Sequence, residues 1–355
     1  MVQNGSTNTV MIGDFPVGDA FPPLFMAEIG TYYNQDLDYA FRLLEQIAAA
    51  GVKVLKSEIL HDAEICLPNT GLQHRYNHAG GSNTEDYRAL IDRKILPLAH
   101  YEKIIKKCHK LGMIFVASVY DSGGVDFMVK HGGAALKIAR NNVNNISLIR
   151  YAAKAGLPMI FDMGHVHLDE IFFAVRAARE AGATQIIVNM HPAANPAPAT
   201  AQHMAMVPAL KQLLRCPIGL SCHYKGEEIL YAAVAQGTNL IEKGVDLEPD
   251  RCEQDTVSAL PIEHLKGCVT KLLACYQSTG SIFPIPDDRD LTARSGLVAR
   301  QNIAAGTELS GENTGYAWPP EGIDVADWDI AMQQIVRQDV EAGQPITWEM
   351  LNGTG

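Results

Sequence analysis

The chain has 355 residues, 47% of them hydrophobic and 19% charged, with a formal net charge of -11. That composition suits a soluble globular protein with room for one large domain and a small one. The acidic balance, with no cluster of Lys and Arg, argues against nucleic acid or an anionic membrane as the main partner. An anionic small substrate would then need a local positive pocket.

Residues 1–20 are polar and Gly-rich, and read as a loop or short hairpin without the basic start and apolar core of a signal peptide. Short apolar runs follow at 24–29, 52–55, 113–117, 134–138, 158–161, 185–188, 217–220 and 239–241. Between them lie stretches with helical spacing, near 36–50, 97–111, 122–131, 144–156, 168–182, 200–214 and 226–237, with a last one near 259–277. Gly51, Gly112, Gly156, Gly182 and Gly237 stand where left-handed caps would close these helices. Eight strand–helix units over some 260 residues predict a (β/α)8 barrel, an α/β fold of the TIM-barrel type. No GxGxxG follows any strand, so a dinucleotide-binding open sheet has no support. No apolar run approaches the length that crosses a bilayer.

The connection from Ser57 to Leu96 breaks the rhythm. It is rich in His, Asn, Gly and Arg, as in Gln73-His74-Arg75-Tyr76-Asn77-His78, and leaves the C-terminal end of the second strand. A long loop there suggests a substrate lid. The domains expected are a barrel over 1–280, a linker over 281–293 carrying Pro284 and Pro286, and a small module over 294–355. Cys66, Cys108, Cys216, Cys222, Cys252, Cys268 and Cys275 are odd in number and have no CxxC spacing. They point to a reducing, cytoplasmic setting, not a disulfide scaffold or a zinc knuckle.

In a barrel the working residues sit at the C-terminal strand ends. Two strands end on lysine, Lys56 and Lys137, and a lysine at the mouth of an apolar strand is costly unless an anion or a carboxylate meets it. One such lysine would read as a structural ion pair; the repetition favours an anion site. Lys56, Lys137 and Arg140 could hold a phosphate and a carboxylate, with Ser118 and Ser221 as neutral donors. His223 could bind a divalent metal that polarises a carbonyl. His165 and His167 alternate in an extended segment, which suits either metal binding or a solvated loop. Glu28 and Asp162 are candidates for metal or hydroxyl binding, or for pairing with the lysines. Glu242-Lys243 reads as an internal pair.

On these stretches the chain resembles the sialic acid synthase (NeuB/SpsE-like) family. The matches are Ala27-Glu28-Ile29-Gly30, Ala50 to Lys56, Ala135-Leu136-Lys137-Ile138, His191 with Pro196-Ala197-Pro198, Gly219-Leu220-Ser221-Cys222-His223, and Ile241-Glu242-Lys243. The tail from Ala293 to Ile346 resembles the antifreeze-like (SAF, β-clip) domain of the same family. The resemblance implies condensation of phosphoenolpyruvate with an open-chain sugar aldehyde similar to N-acetylmannosamine, giving a 2-keto-3-deoxy sugar acid and phosphate, in surface or spore-coat polysaccharide synthesis. It implies a divalent metal, Mn or Mg, and a homodimer in which each SAF domain caps the partner's barrel. By the resemblance, Lys56, Ser118, Lys137 and Ser221 match phosphoenolpyruvate ligands, Glu28 matches an active-site carboxylate and His223 a metal ligand. Arg140, Asn195 and Lys243 are further candidates for substrate binding, Lys137 and Asp162 for catalysis, and His191 and His165 for substitute metal ligands. Several positions depart from the family: Ser-Asp-His is Ser221-Cys222-His223, the second metal histidine is Gly244, and an Asn-His pair is Tyr32-Tyr33. A serine three residues past the buried lysine is Arg140, Ser-Thr-Gly is Asp162-Met163-Gly164, and the SAF arginine is replaced within Trp318-Pro319-Pro320-Glu321. The alternatives are an aldolase with a Schiff base at Lys137 or Lys243, and a catalytically silent sugar-acid or partner binder.

Overall fold

A computed structural model describes residues 9–192, 194–280 and 293–351. Eight parallel strands form the first unit: β1 (Leu24–Gly30), β2 (Val54–Ile59), β3 (Ile114–Val119), β4 (Ala135–Ile138), β5 (Met159–Asp162), β6 (Ile186–Met190), β7 (Ile218–Cys222) and β8 (Leu240–Asp246). Each pairs with the next, and β8 pairs back onto β1 through Gly244 and Glu28, closing the cylinder. Helices α1 (Leu37–Ala49), α2 (Tyr87–Lys94), α3 (Leu98–Lys110), α4 (Ser122–Lys130), α5 (Ile146–Ala153), α6 (Leu168–Glu180), α7 (Met206–Leu214), α8 (Glu228–Ala235) and α9 (Ile262–Ser278) belong to the same unit. The expected strand–helix alternation is present, and all five cap glycines have φ between 71° and 109°. Helix starts are sharper than periodicity alone suggests. Asp36, Asp121 and Asn145 each accept a first-turn backbone N–H, ordering α1, α4 and α5.

Strand parity sorts the side chains into two shells. One face of the strands packs with the helices in a single large core that includes Leu43, Leu44, Ile47, Tyr101 and Phe115. The other face fills the cylinder, because alternate residues point to opposite sides. Met26, Val54, Val116, Ala135, Ile160, Ile187 and Leu240 form an apolar layer there, and they pack with Val10, Ile12 and Val17. Those three belong to an antiparallel hairpin of Val10–Ile12 with Phe15–Val17, the short hairpin expected within residues 1–20. It lies on the interior residues nearest the N-terminal ends of the strands.

The expected lid loop between β2 and β3 is instead a folded insertion. Gln73–His78 pairs antiparallel with Gly81–Asp86, and α2 follows directly. Side-chain bonds tie it to the barrel: Asn77 donates to the Asn195 carbonyl (2.8 Å), and Lys94 donates to Glu253 (2.8 Å). The second compact unit begins at Gly280. In it, Gly296–Ala299 pairs antiparallel with Thr314–Ala317 around a small core of Leu297, Ile303, Leu309, Ile323, Val336 and Ile346. Most of the expected linker, residues 281–292 with Pro284 and Pro286, lies outside the described residues.

Leu43 on α1 is fully buried, whereas Phe173 on α6 is 47% exposed. Leu43→Ala should therefore lower unfolding free energy by about 2–5 kcal/mol in urea titrations, while Phe173→Ser should shift it by no more than about 0.5 kcal/mol.

Candidate active site

One polar side chain from each of the eight strands points into the cylinder above the apolar layer: Glu28, Lys56, Ser118, Lys137, Asp162, Asn189, Ser221 and Glu242. All eight are buried, none more than 7% exposed. Six of them, Glu28, Lys56, Lys137, Asp162, Asn189 and Glu242, form a connected lattice. Glu242 accepts from Lys137 (2.6 Å) and Asn189 (3.0 Å), and lies 3.5 Å from the Lys56 ammonium. Lys56 donates to Glu28 and lies 3.5 Å from Glu58. Lys137 also pairs with Asp162 at 3.0 Å, and Asp162 Oδ2 meets His191 Nδ1 at 2.9 Å. Gly219 makes room for this layer, since a side chain there would collide with the Asn189 amide.

Carboxylates outnumber ammonium groups in this layer, and their proton affinities reflect it. Burial works against the Lys56 ammonium, but Glu28, Glu242 and Glu58 outweigh it and hold the group well above the ordinary lysine range. Lys137 is raised too, since Asp162 and Glu242 overcome its burial. Burial would raise Asp162, yet Lys137 and His191 hold it well below the usual carboxylate range. Glu28 is the surplus anion. Burial pushes its carboxyl up to about 7, against the pull of Lys56 and with the repulsion of Glu242. The two lysines are therefore inside and paired, as carboxylate-neutralised cations. They do not wall an open anion pocket.

A cavity of about 730 Å³ lies at the C-terminal strand ends, bordered by Lys94, Arg140, His165, His191, Asn195 and His223, with the insertion's His74 to Asn77 on one side. None of the eight residues of the inward layer borders it, although Glu58, next to Lys56, does. Arg140 is exposed, and its guanidinium has no hydrogen-bond or ion-pair partner among the described residues. Asn195, on a cis bond to Pro196, donates to Asp255 at 2.6 Å. Ser118 Oγ, Asp162 Oδ1 and Asn189 Oδ1 are buried with no hydrogen-bond partner among the described residues.

Comparison with known proteins agrees with this architecture. Residues 43–283 match the NeuB family, and residues 294–352 match the SAF domain. The chain belongs to the NeuB family. It is 28% identical over 260 residues to the Bacillus subtilis spore coat polysaccharide biosynthesis protein SpsE, covering 73% of this chain and 69% of that protein. It is 25% identical over 329 residues to the N,N'-diacetyllegionaminic acid synthase of Campylobacter jejuni, covering 91% and 98%. Among solved structures, the N-acetylneuraminic acid synthetase of Leptospira borgpetersenii has the same fold, with a TM-score of 0.72 at 22% identity over 81% of this chain and 95% of that one.

Three expectations for this NeuB-family site need correction. Lys243 does not face substrate. Its register partner is Cys222, and both lie on the outer side of the barrel wall. Lys243 Nζ donates to the Tyr224 carbonyl (2.5 Å) and sits 3.9 Å from Cys222 Sγ, so it forms no internal pair with Glu242. Burial pushes its pKa down. Secondly, His165 and His167 do not alternate on an extended segment. His165 has φ 54°, and the His167 backbone N–H donates to Glu170 at the start of α6. Thirdly, His165, His191 and His223 share the cavity but do not make a metal centre. No three His, Cys, Asp or Glu among the described residues are grouped to hold an ion. The donor set implied for Mn or Mg does not fit these residues.

Sequence reading missed Asn189, Glu58, Lys94 and Asp255. Asn189 was readable by counting two residues along the strand from inward Ile187, and Glu58 by counting four from inward Val54. Lys94 and Asp255 come from segments whose path a strand count does not fix.

Glu242 is the anion that both lattice lysines share. Replacing it in Glu242→Gln leaves buried ammonium charge uncompensated, and should destabilise the fold by about 3–5 kcal/mol in denaturant unfolding. A change below about 1 kcal/mol would contradict the lattice as described.

Proposed function

We propose that this chain is a sugar-acid synthase that condenses phosphoenolpyruvate with an open-chain sugar aldehyde, forming a 2-keto-3-deoxy sugar acid and releasing phosphate. The observation that carries the reading is the inward layer, with two ammonium groups and two hydroxyls at the strand ends beneath a cavity bordered by Arg140 and four imidazoles. Relatives named as synthases of diacetyllegionaminic acid and N-acetylneuraminate 9-phosphate support the reaction class.

In this reading the donor's phosphate and carboxylate take over as partners of Lys56 and Lys137, with Ser118 and Ser221 adding neutral hydrogen bonds and Arg140 meeting phosphate from the rim. A guanidinium fork suits a phosphate face, and the Ser118 hydroxyl is already buried without a partner. Carbon 3 of the donor attacks the aldehyde carbon. The aldehyde oxygen gains a proton, water adds to carbon 2, and phosphate leaves with its bridging oxygen. Glu28, with a pKa near neutral, is the group suited to exchange protons in these steps. Asp162 holds the Lys137 ammonium and the His191 ring, and Asn195 orients the acceptor beside Asp255.

An aldolase acting through a lysine Schiff base needs a neutral amine, and Asp162 and Glu242 oppose that at Lys137. A binding-only role has one observation in its favour: both lattice lysines already have carboxylate partners. Phosphate release that requires donor and acceptor together separates the synthase from the silent binder.

The SAF unit carries Tyr316 and Trp318 at 62% and 78% exposure. We include in the proposal a homodimer in which this aromatic surface covers the partner's barrel mouth. The seven free thiols suit a reducing cytoplasm, and the product class suits surface or spore-coat polysaccharide synthesis.

Three outcomes are expected. First, Lys137→Ala abolishes donor-dependent phosphate release, and retained turnover would refute the role of Lys137. Secondly, borohydride with pyruvate leaves the chain mass unchanged. Thirdly, Glu28 gains its charge as pH rises through about 7 and then competes with the donor for Lys56. Phosphoenolpyruvate affinity, measured by calorimetry, should therefore be strongest below that pH and weaken above it by up to about tenfold per unit. Glu28→Gln should abolish the fall, and a fall identical in that variant would overturn the assignment.

A further inference from the structure

Divalent metals of the Mn and Mg kind bind through several converging oxygen or imidazole donors, and a first-row site with one or two free imidazoles is weak. The inward carboxylates near this mouth already have partners on one or both oxygens. Asp162 Oδ2 faces both the Lys137 ammonium (3.0 Å) and His191 Nδ1 (2.9 Å). Glu242 faces Lys137 and Asn189, and Glu28 faces Lys56. A dication bound to the paired oxygens of these carboxylates would compete with an ammonium group. His191 and His223 stack edge to face with ring centroids 4.4 Å apart.

The wall at Gly244 is closed by a tyrosine. Gly244 pairs in register with Glu28, so a side chain on it would project into the barrel mouth at the level of that carboxylate. A Cβ at Gly244 would come 2.7 Å from the Tyr32 hydroxyl oxygen, closer than real Cβ contacts come. Tyr32 is itself buried, at 5% exposure. No ligand can reach the mouth from this position on β8 while the phenol stands there. What the mouth offers in place of a bound ion is positive charge carried by the protein, foremost the unpartnered Arg140 guanidinium on the cavity rim.

We infer that this chain holds no divalent metal and works without one, with Tyr32 filling the space of a ligand and side-chain cations supplying the charge that an ion would bring. The functional half of this inference rests on the synthase reading above; the binding half does not. Titrating Mn2+ into the full-length chain and reading free Mn2+ by electron paramagnetic resonance tests the binding half without any acceptor. The expected result is a free signal equal to that of buffer and, when phosphoenolpyruvate is added, equal to that of phosphoenolpyruvate in buffer. Loss of one equivalent of free Mn2+ per chain in either titration would overturn the inference. Where turnover with an acceptor is obtained, exhaustive chelation should leave the rate within about twofold. A tenfold fall, restored by Mn2+ or Mg2+, would overturn it too, while leaving the synthase reading in place.

Discussion

The barrel interior depends on one shared carboxylate. Glu242 sits at the centre of a lattice in which two ammonium groups and one amide converge on its oxygens. Taking that many charges out of water is expensive, and only their mutual contact makes the burial tolerable. Each partner comes from a different strand: Lys56 from β2, Lys137 from β4, Asn189 from β6 and Glu242 from β8. The lattice thus ties the even-numbered strands across the cylinder, and a shift of register in any one would strand a charge.

The same lattice sets the chemistry available at the mouth. Carboxylate is in excess, so one acid is left with a proton affinity near neutrality, and that acid is Glu28. The lysines stay fully charged because anions surround them, which favours electrostatic binding over amine nucleophilicity. For the proposed donor this means exchange with a resident carboxylate instead of entry into an open cationic hole.

Much of the fold was legible because its signals are local. Apolar runs such as 52–55 and 185–188, each after a helix closed by glycine, mark barrel strands without reference to anything distant. The insertion between β2 and β3 was not legible. Its hairpin is built from Gln73-His74-Arg75-Tyr76-Asn77-His78, which has no apolar alternation to betray a strand, and its pairing partner offers none either. In the site, residue types and strand-end positions were readable, so Lys56, Lys137, Asp162, Ser118 and Ser221 were found in one layer. Direction was readable too, but only by counting. Lys243 follows Glu242 by one residue and must therefore face the other side of the wall. Partnership was not readable, because which carboxylate meets which ammonium is decided across the cylinder, between residues more than a hundred positions apart in the case of Lys137 and Glu242. Nor does a glycine at 244 reveal that a phenol from the β1–α1 turn stands over it.

The hairpin of residues 10–17 corks the cylinder at the end away from the mouth, with Val10, Ile12 and Val17 seated on the apolar layer. Among the described residues, this stopper closes the end of the cylinder away from the mouth, so a ligand of the inward layer would be approached from the C-terminal strand ends.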